Sequence, residues 1–362
     1  MPIHFTSIVG GAKSHVVCGL SLLLFLLAGC AEPADQGGAE VLRFGGNTMG
    51  TSYQVIYGAS SRDSVDSDKA AVENLLLEVN ESLSTYIDTS LISRINSSSN
   101  PALWHPVDSH FLTVFERAQD IYKKTGGAFN PAVGPLVKAF GFGPDLMDNV
   151  PDSSVVDSLR GLVDFESFLL IESNKALQKR NVDASLDFSA IAKGYGVDVI
   201  STFFEARGTK DYFVEIGGEV RTGGAHPEGR PWRVGIERPT ENQFSEQATQ
   251  AVVVLGDNAM ATSGNYRNFY VRDGRKYVHT IDPATGYPKI SSLLSASVVA
   301  RDCMTADAYA TSFMVMGLDQ AIALVESDSD LEAFFIVAGE DGEFVEHQSS
   351  GFAAYQNEQS GS

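Results

Sequence analysis

Short segments rich in β-branched and aromatic residues follow one another at hairpin spacing through the second half of the chain. They are Tyr212 to Ile216, Trp232 to Ile236, Ala251 to Leu255, Asn268 to Arg272, Lys276 to Ile281 and Ser295 to Ala300. Hairpin spacing joins antiparallel strands, whereas parallel strands need a longer crossover, usually a helix. This half of the chain therefore lacks the strict βαβ rhythm of a parallel barrel.

Helical patterns alternate with these strand clusters. Residues 64 to 87 place Val72, Leu75, Leu76, Val79 and Leu83 on one face. A second helix is predicted after an N-cap at Asp108, with Phe111, Leu112, Phe115, Ala118 and Tyr122 inward and an end at Gly126-Gly127. Further helices are predicted near residues 190 to 207, 303 to 317 and 319 to 326, and further strands within 41 to 57, 168 to 187 and 333 to 337. The pattern indicates an α/β (mixed α+β) fold.

Size and charge exclude several classes of protein. The 362 residues allow two domains or one large domain with two lobes, and 43% hydrophobic residues exclude bulk disorder. Acidic residues outnumber basic residues 46 to 26, so no nucleic-acid partner is expected. Three cysteines cannot form a disulfide framework, and no repeated Cys/His spacing indicates structural zinc.

The N-terminal segment is predicted to be a targeting signal. The apolar run from Val16 to Leu27 is too short to cross about 30 Å of hydrocarbon as a helix. At the end of this run, the sequence Leu27-Ala28-Gly29-Cys30 resembles the lipobox of bacterial lipoproteins. The alternative is an ordinary secretory signal that is cleaved nearby. We predict a signal over residues 1–29, a lipid (such as palmitate) on Cys30, a tether over 30–40, one domain over 41–355 and a flexible tail over 356–362.

This reading implies a body anchored to a membrane of the bacterial cell envelope and facing the periplasm. Ala31 follows the anchor cysteine in place of the aspartate that resembles an inner-membrane retention signal. The outer membrane is therefore slightly favoured.

Asp307 and Thr311 stand four residues apart in the helical segment near residues 303 to 317. Residues at this spacing share one helix face, so a carboxylate and a hydroxyl present hard oxygens together. Magnesium takes such ligands and keeps waters and substrate phosphates in its shell. The alternative is an ordinary polar face with Thr311 bonded to a backbone carbonyl.

Lys193 lies where a strand enters a helix, in the segment from Asp187 to Asp198. A helix N-terminus offers free N–H groups to phosphate, and a lysine in the first turn adds a positive charge. The segment is a candidate seat for a diphosphate, although it lacks the spacing of a Walker A loop. The alternative is a solvated helix lysine.

His279 precedes the turn Asp282-Pro283-Ala284-Thr285-Gly286. A histidine at a strand end beside a turn can act as a base or nucleophile near neutral pH, or can be structural. Gly217-Gly218, after the strand-like YFVEI, allow a ligand to approach the backbone closely or make only a tight turn.

Taken together, the motifs resemble the FAD:protein FMN transferase family, often called the ApbE family. They are MGTSYQV at 49–55, STYIDTSLISRIN at 84–96, GGAFNPAVGPL at 126–136, AIAKGYGVD at 190–198, VEIGGEV at 214–220, ATSGNY at 261–266, HTIDPATGYP at 279–288 and ADAYATS at 306–312. The resemblance implies a two-lobed fold of mixed β-sheets flanked by helices. It also implies an enzyme that splits FAD at its diphosphate, joins FMN to a threonine hydroxyl of a target protein and releases AMP.

The resemblance further implies a requirement for Mg²⁺, with FAD as substrate. Asp307 and Thr311 match side-chain metal ligands, Ala190 matches a ligand through its carbonyl, and His279 and Asp307 match catalytic positions. The FAD-contact positions are Met49, Tyr86, Ala128, Phe129, Asn130, Asp187, Lys193 and Ile281. Expected targets are membrane redox subunits such as those of sodium-pumping or Rnf-type reductases.

Two positions depart from the family pattern. Asn130 stands where many members have aspartate, which removes a charge near the nucleotide. Phe188-Ser189-Ala190 replaces a glycine-rich version of that turn but leaves the Ala190 carbonyl available. An FAD pyrophosphatase and a non-catalytic flavin-binding lipoprotein remain alternatives, and Asp307 with Thr311 favours an enzyme over a binder.

Overall fold

The computed structural model describes residues 40–59, 65–143, 150–240, 248–266, 269–272, 274–339 and 343–356. The predicted signal, Cys30, residues 31–39 of the tether and residues 357–362 lie outside the described residues. The strands are β1 (Glu40–Thr48), β2 (Thr51–Ala59), β3 (Trp104–Pro106), β4 (Phe168–Ile171), β5 (Ala176–Lys179), β6 (Tyr212–Ile216), β7 (Glu219–Gly223), β8 (Arg233–Glu237), β9 (Thr249–Val254), β10 (Ala259–Gly264), β11 (Phe269–Arg272), β12 (Arg275–Val278), β13 (Leu293–Ala300), β14 (Glu332–Ala338) and β15 (Phe344–Gln348). The helices are α1 (Val65–Leu83), α2 (Leu91–Asn96), α3 (Ser109–Lys124), α4 (Gly134–Ala139), α5 (Ser153–Arg160), α6 (Ala192–Ala206), α7 (Cys303–Met316), α8 (Leu318–Val325) and α9 (Ala353–Gln356).

An antiparallel sheet in the order β1-β2-β6-β7-β10-β13-β14-β15 forms the centre of the described structure. Strand β13 is buried along most of its length because both faces of the sheet are covered. Val298 belongs to the hydrophobic cluster that includes α7, whereas the adjacent Val299 belongs to a cluster on the opposite face. Smaller sheets pair β3-β5-β4, β8-β9 and β11-β12. The predicted α/β (mixed α+β) fold is confirmed, and the strand pairings within the described residues are antiparallel.

The predicted helices form where the apolar period is clear. In α1, four of the five predicted core residues are buried and Leu75 is half-buried. Asp108 caps α3 as predicted, because its side chain accepts a hydrogen bond of 2.8 Å from the Phe111 amide. Leu112 and Tyr122 are only half-buried, and Val114 and Ile121 face the core in addition to the predicted residues. Within the described ranges, no helix has the length and apolar character needed to cross a membrane.

Strands β3, β7, β10 and β15 and the short helices α2, α4, α5 and α9 were not predicted. Strand β7 begins with the buried Glu219 and carries Arg221, whose guanidinium pairs with Asp198 and Glu205. Charged residues obscure a strand pattern when only tertiary contacts satisfy them. The predicted strand Lys276–Ile281 is also too long, since β12 ends at Val278 and Ile281 makes only an isolated bridge to Pro288.

Candidate active site

Helices α6 and α7 approach each other closely at Gly194. A Cβ atom at Gly194 would lie 2.2 Å from the carbonyl oxygen of Cys303, so the contact requires glycine. Asp198, one turn further along α6, accepts hydrogen bonds from the amides of Cys303 (2.9 Å) and Met304 (2.8 Å). Asp198 thereby holds the first turn of α7 against α6. Burial raises the pKa of Asp198 to about 6, and nearby Asp302 adds to this shift.

This packing brings the half-buried Lys193 and the buried Glu219 and Asp307 into one group, the Lys193–Glu219–Asp307 cluster. The Lys193 Nζ lies 3.3 Å from Glu219 Oε1 and 3.8 Å from Asp307 Oδ1. Asp307 Oδ2 accepts a hydrogen bond of 3.0 Å from the Gly194 amide. Glu219 and Asp307 are each only 4% exposed, and Glu219 Oε2 has no hydrogen-bond partner among the described residues. Two buried carboxylates therefore share one ammonium group.

Burial and the neighbouring charges shift the pKa values of Glu219 and Lys193. Burial raises the pKa of Glu219, Lys193 opposes the shift and Asp307 adds to it. Burial also lowers the pKa of Lys193, but the Asp307 and Glu219 carboxylates outweigh burial and raise it above its ordinary value. The cluster is thus short of positive charge, which is a condition that favours binding of a cation.

The turn before α6 presents a free carbonyl. The amides of Ile191 and Ala192 both donate to the Phe188 carbonyl, at 3.0 and 2.8 Å. The Gly194 amide, which in a regular helix would bond to the Ala190 carbonyl four residues earlier, donates to Asp307 instead. Within the described part of the chain, no hydrogen bond to the Ala190 carbonyl oxygen is found.

These oxygens fit the donor set that magnesium prefers. Thr311 is half-buried and follows Asp307 by four residues in α7, so the hydroxyl and the carboxylate lie on the same helix face. No group of three or more His, Cys, Asp or Glu side chains with metal-binding geometry occurs in the described ranges. A magnesium ion here would need the Ala190 carbonyl, the Thr311 hydroxyl and oxygens from substrate or water beside the Asp307 carboxylate.

The predicted nucleotide-contact residues Asn130 and Asp187 are brought together by a backbone hydrogen bond, and Tyr86 lies near Asp187. The Asp187 amide donates to the carbonyl of Pro131, next to Asn130, at 2.7 Å. The Tyr86 hydroxyl donates to the Phe142 carbonyl at 3.2 Å. Burial and the nearby Asp187 carboxylate raise the pKa of Tyr86. Tyr86 is nevertheless 61% exposed, so its ring is accessible to a ligand.

The other predicted contact residues are placed differently. Met49 occupies the β1–β2 turn with φ of 49°, and a Cβ at Gly196 in α6 would lie 3.0 Å from its Cε. Residues 47 to 52 around it line a cavity of about 490 Å³. Ala128 is half-buried, whereas the Phe129 side chain is 4% exposed and packs in the main core. Phe129 is therefore placed to contact a ligand through its backbone only.

His279 and Ile281 follow β12 in a separate hairpin, where His279 is half-buried. The hairpin contacts the segment that also binds Tyr86, because Tyr270 donates to the Phe140 carbonyl at 3.0 Å and its ring lies 5.3 Å from that of Phe142. Ile281 is buried against the corner formed by Leu136, Phe140 and Val156. The hairpin that leads to His279 therefore packs against the segment that binds the Tyr86 hydroxyl.

Glu219 was absent from the predicted site residues. The sequence feature that points to it is its position as a charged residue directly after Gly217-Gly218. Nothing local distinguishes such a glutamate from a solvated one, because only the approach of α6 and α7 buries it.

Comparison with known proteins identifies the family. A model of the ApbE family matches residues 49–335. A relative from Vibrio cholerae named FAD:protein FMN transferase is 40% identical over 339 residues, covering 92% of this chain and 96% of the relative. A relative of the same name from Haemophilus influenzae is 35% identical, covering 88% of this chain and 92% of the relative.

Solved structures agree with this assignment. The flavin transferase ApbE from Vibrio cholerae has a TM-score of 0.78 at 38% identity, covering 88% of this chain and 99% of that one. The apo form of the flavinyl transferase ApbE from Pseudomonas stutzeri has a TM-score of 0.77 at 33% identity, covering 88% and 97%. The predicted family, the predicted fold and the predicted class of enzyme are confirmed. The chain belongs to the ApbE family, whose named relatives here are FAD:protein FMN transferases.

Proposed function

We propose that this chain transfers FMN from FAD to a threonine hydroxyl of a target protein and releases AMP. A bond forms between the threonine oxygen and the phosphorus of the FMN half, and the diphosphate bond to AMP breaks. The threonine proton is removed by a base. The observation that carries the proposal is the Lys193–Glu219–Asp307 cluster beside the turn before α6, where positive charge and hard oxygens meet in a buried place.

The proposed ion is Mg²⁺, held by Asp307, Thr311 and the Ala190 carbonyl. When bound, it supplies positive charge to the oxygens of the diphosphate and of the leaving AMP. Lys193 adds an ammonium group beside the same carboxylate. The Ala192 and Gly194 amides at the start of α6 already donate to Phe188 and Asp307, so the lysine is the group of this segment proposed to attract phosphate. The remaining contribution of the chain is positioning of the nucleotide, for which we propose Met49, Tyr86, Asn130 and Asp187. Met49 packs near Gly196 of α6, and the Asp187 amide donates to the Pro131 carbonyl next to Asn130.

A direct test follows the products. The protein is incubated with FAD, Mg²⁺ and a co-expressed candidate membrane reductase subunit, and mass spectrometry measures AMP and an FMN adduct on threonine. AMP together with the adduct supports transfer. AMP without an adduct indicates an FAD pyrophosphatase, and flavin binding without AMP indicates a non-catalytic binder.

His279 is proposed to assist the phosphoryl chemistry, as a base or as a transient acceptor of FMN. For His279→Ala we expect the transfer rate to fall by roughly 10²- to 10⁴-fold, the usual contribution of a positioned acid–base group. The affinity for FAD, measured by flavin fluorescence, should change little. His347→Ala, on the edge strand β15 of the large sheet, serves as the matched control. Equal losses of binding and transfer would point to a structural histidine.

We also propose that Cys30 carries the lipid anchor and that the body faces the periplasm, with the outer membrane favoured. The expected targets are membrane redox subunits of sodium-pumping or Rnf-type reductases, which the anchor would keep close. In Cys30→Ser the protein should move from the membrane fraction to the soluble periplasmic fraction. Fractionation followed by immunoblotting measures this, and unchanged membrane retention would contradict a lipid at Cys30.

A further inference from the structure

Lys193 is shared unequally between the two carboxylates of the cluster. Its ammonium lies 3.3 Å from Glu219 Oε1 but 3.8 Å from Asp307 Oδ1. The second oxygen of Glu219, Oε2, is buried and has no hydrogen-bond partner among the residues that the structure describes. Burying a carboxylate oxygen without a hydrogen-bond donor lowers the free energy of unfolding, so Glu219 destabilises the fold at this position.

The backbone holds Glu219 at this position. Gly217 and Gly218 make the β6–β7 turn with φ of 61° and 103°, values that favour glycine. Glu215 Oε1 accepts a hydrogen bond of 2.6 Å from the Gly218 amide, and Glu219 pairs with Ile216 in the hairpin register. Glu219 is therefore held at a fixed position in the β6–β7 hairpin.

Asp307 is constrained in a complementary way. Its Oδ2 is held by the Gly194 amide at 3.0 Å, which leaves Oδ1 as the oxygen nearest to Lys193. Without Glu219, the half-buried Lys193 and the buried Asp307 would form a neutral ion pair. A divalent cation would then have to displace the ammonium from Oδ1 before binding Asp307.

We propose that Glu219 is a positioning residue that draws the Lys193 ammonium away from Asp307 and so keeps the Asp307 carboxylate available to a divalent cation. The inference rests on the metal site of the proposed function. It assigns Glu219 an action through Lys193, and not a direct contact with the ion.

The test measures binding of Mn²⁺ alone to the full chain, without FAD, by electron paramagnetic resonance of the free ion. We expect Glu219→Gln to weaken Mn²⁺ binding about tenfold or more, because one nearby charge is lost and the lysine closes on Asp307. Glu215→Gln is the matched control, since it removes a carboxylate from the same hairpin but keeps the acceptor for the Gly218 amide. Its Mn²⁺ affinity should stay at the wild-type value.

Removing Lys193 distinguishes an action of Glu219 through the lysine from a direct contact of Glu219 with the ion. In the double variant Lys193→Met/Glu219→Gln the competing ammonium is absent, so Mn²⁺ should bind more tightly than to Glu219→Gln alone. A double variant that stays as weak as Glu219→Gln would show direct contact with the ion and overturn the inference. Unchanged affinity in Glu219→Gln would also overturn it.

Further results separate this inference from the metal site itself. Lys193→Met alone should bind Mn²⁺ at least as tightly as wild type, and weaker binding would contradict competition by the lysine even if Glu219→Gln does not fold. A wild-type chain that binds no Mn²⁺ would overturn the metal site and this inference together. Wild-type binding that is lost in Asp307→Asn but unchanged in Glu219→Gln would overturn only the role of Glu219.

Discussion

Asp307→Ala is expected to lose Mg²⁺-dependent flavin transfer by roughly a thousandfold or more. The carboxylate is the only acidic side chain in the proposed ligand set, and a bound cation contributes several kcal/mol of transition-state stabilisation, at about 1.4 kcal/mol for each tenfold in rate. Steady-state AMP release at saturating Mg²⁺ measures the loss. Wild-type turnover in this variant would defeat the metal assignment.

The same variant should remain folded. Removing Asp307 leaves the buried Gly194 amide without its partner, a cost of about 1–3 kcal/mol. The change also removes the repulsion between Asp307 and Glu219, and Lys193 keeps its contact with Glu219. Circular dichroism and denaturant unfolding should therefore show native structure with modest destabilisation.

Asp302→Ala is the matched control for this prediction. Asp302 lies on the same helix and caps it, accepting a hydrogen bond of 2.8 Å from the Thr305 amide. Loss of an N-cap typically costs about 1 kcal/mol of stability. We expect Asp302→Ala to be destabilised to a similar degree as Asp307→Ala and yet to keep Mg²⁺-dependent turnover.

Gly194→Ala is the second change with a large expected effect. The new Cβ would lie 2.2 Å from the Cys303 carbonyl oxygen and 2.8 Å from the Met304 amide nitrogen. Both contacts are with backbone, which cannot rotate away as a side chain can. Overpacking costs typically about 1–3 kcal/mol and occasionally more, whereas alanine regains at most about 1 kcal/mol of helix propensity.

Because both contacts are with backbone, we expect an overpacking cost at the upper end of this range, and the free energy of unfolding should therefore fall by about 2 kcal/mol. Because α6 must move from α7, the contacts from Lys193 and Gly194 to Asp307 should also be lost, and flavin transfer should fall by roughly a hundredfold or more. Gly196→Ala, on the same helix, is the control. Its Cβ would meet the ends of the Met49 and Ile216 side chains at 3.0 and 3.1 Å, which can adjust. Equal stability of the two variants would contradict the close packing at Gly194.

Local sequence patterns predicted most of the helices and strands. The helical period of α1 and the Asp108 cap of α3 are local features, because neighbouring residues in the sequence decide them. The same holds for Asp307 and Thr311, whose spacing places them on one face of any helix. Strand β10 illustrates the limit, since Ala259–Gly264 lacks a strong β pattern and pairs with β7 and β13.

The sequence by itself determined the mixed fold, the family resemblance and the residue types available for binding a diphosphate and a cation. The tertiary structure decided which charges meet. Lys193, Glu219 and Asp307 are far apart in the chain, and the close approach at Gly194 and the turn at Gly217-Gly218 bring them together. Burial and charge pairing depend on distances between separate elements, and such distances are not encoded in the local periodicity of any one of them.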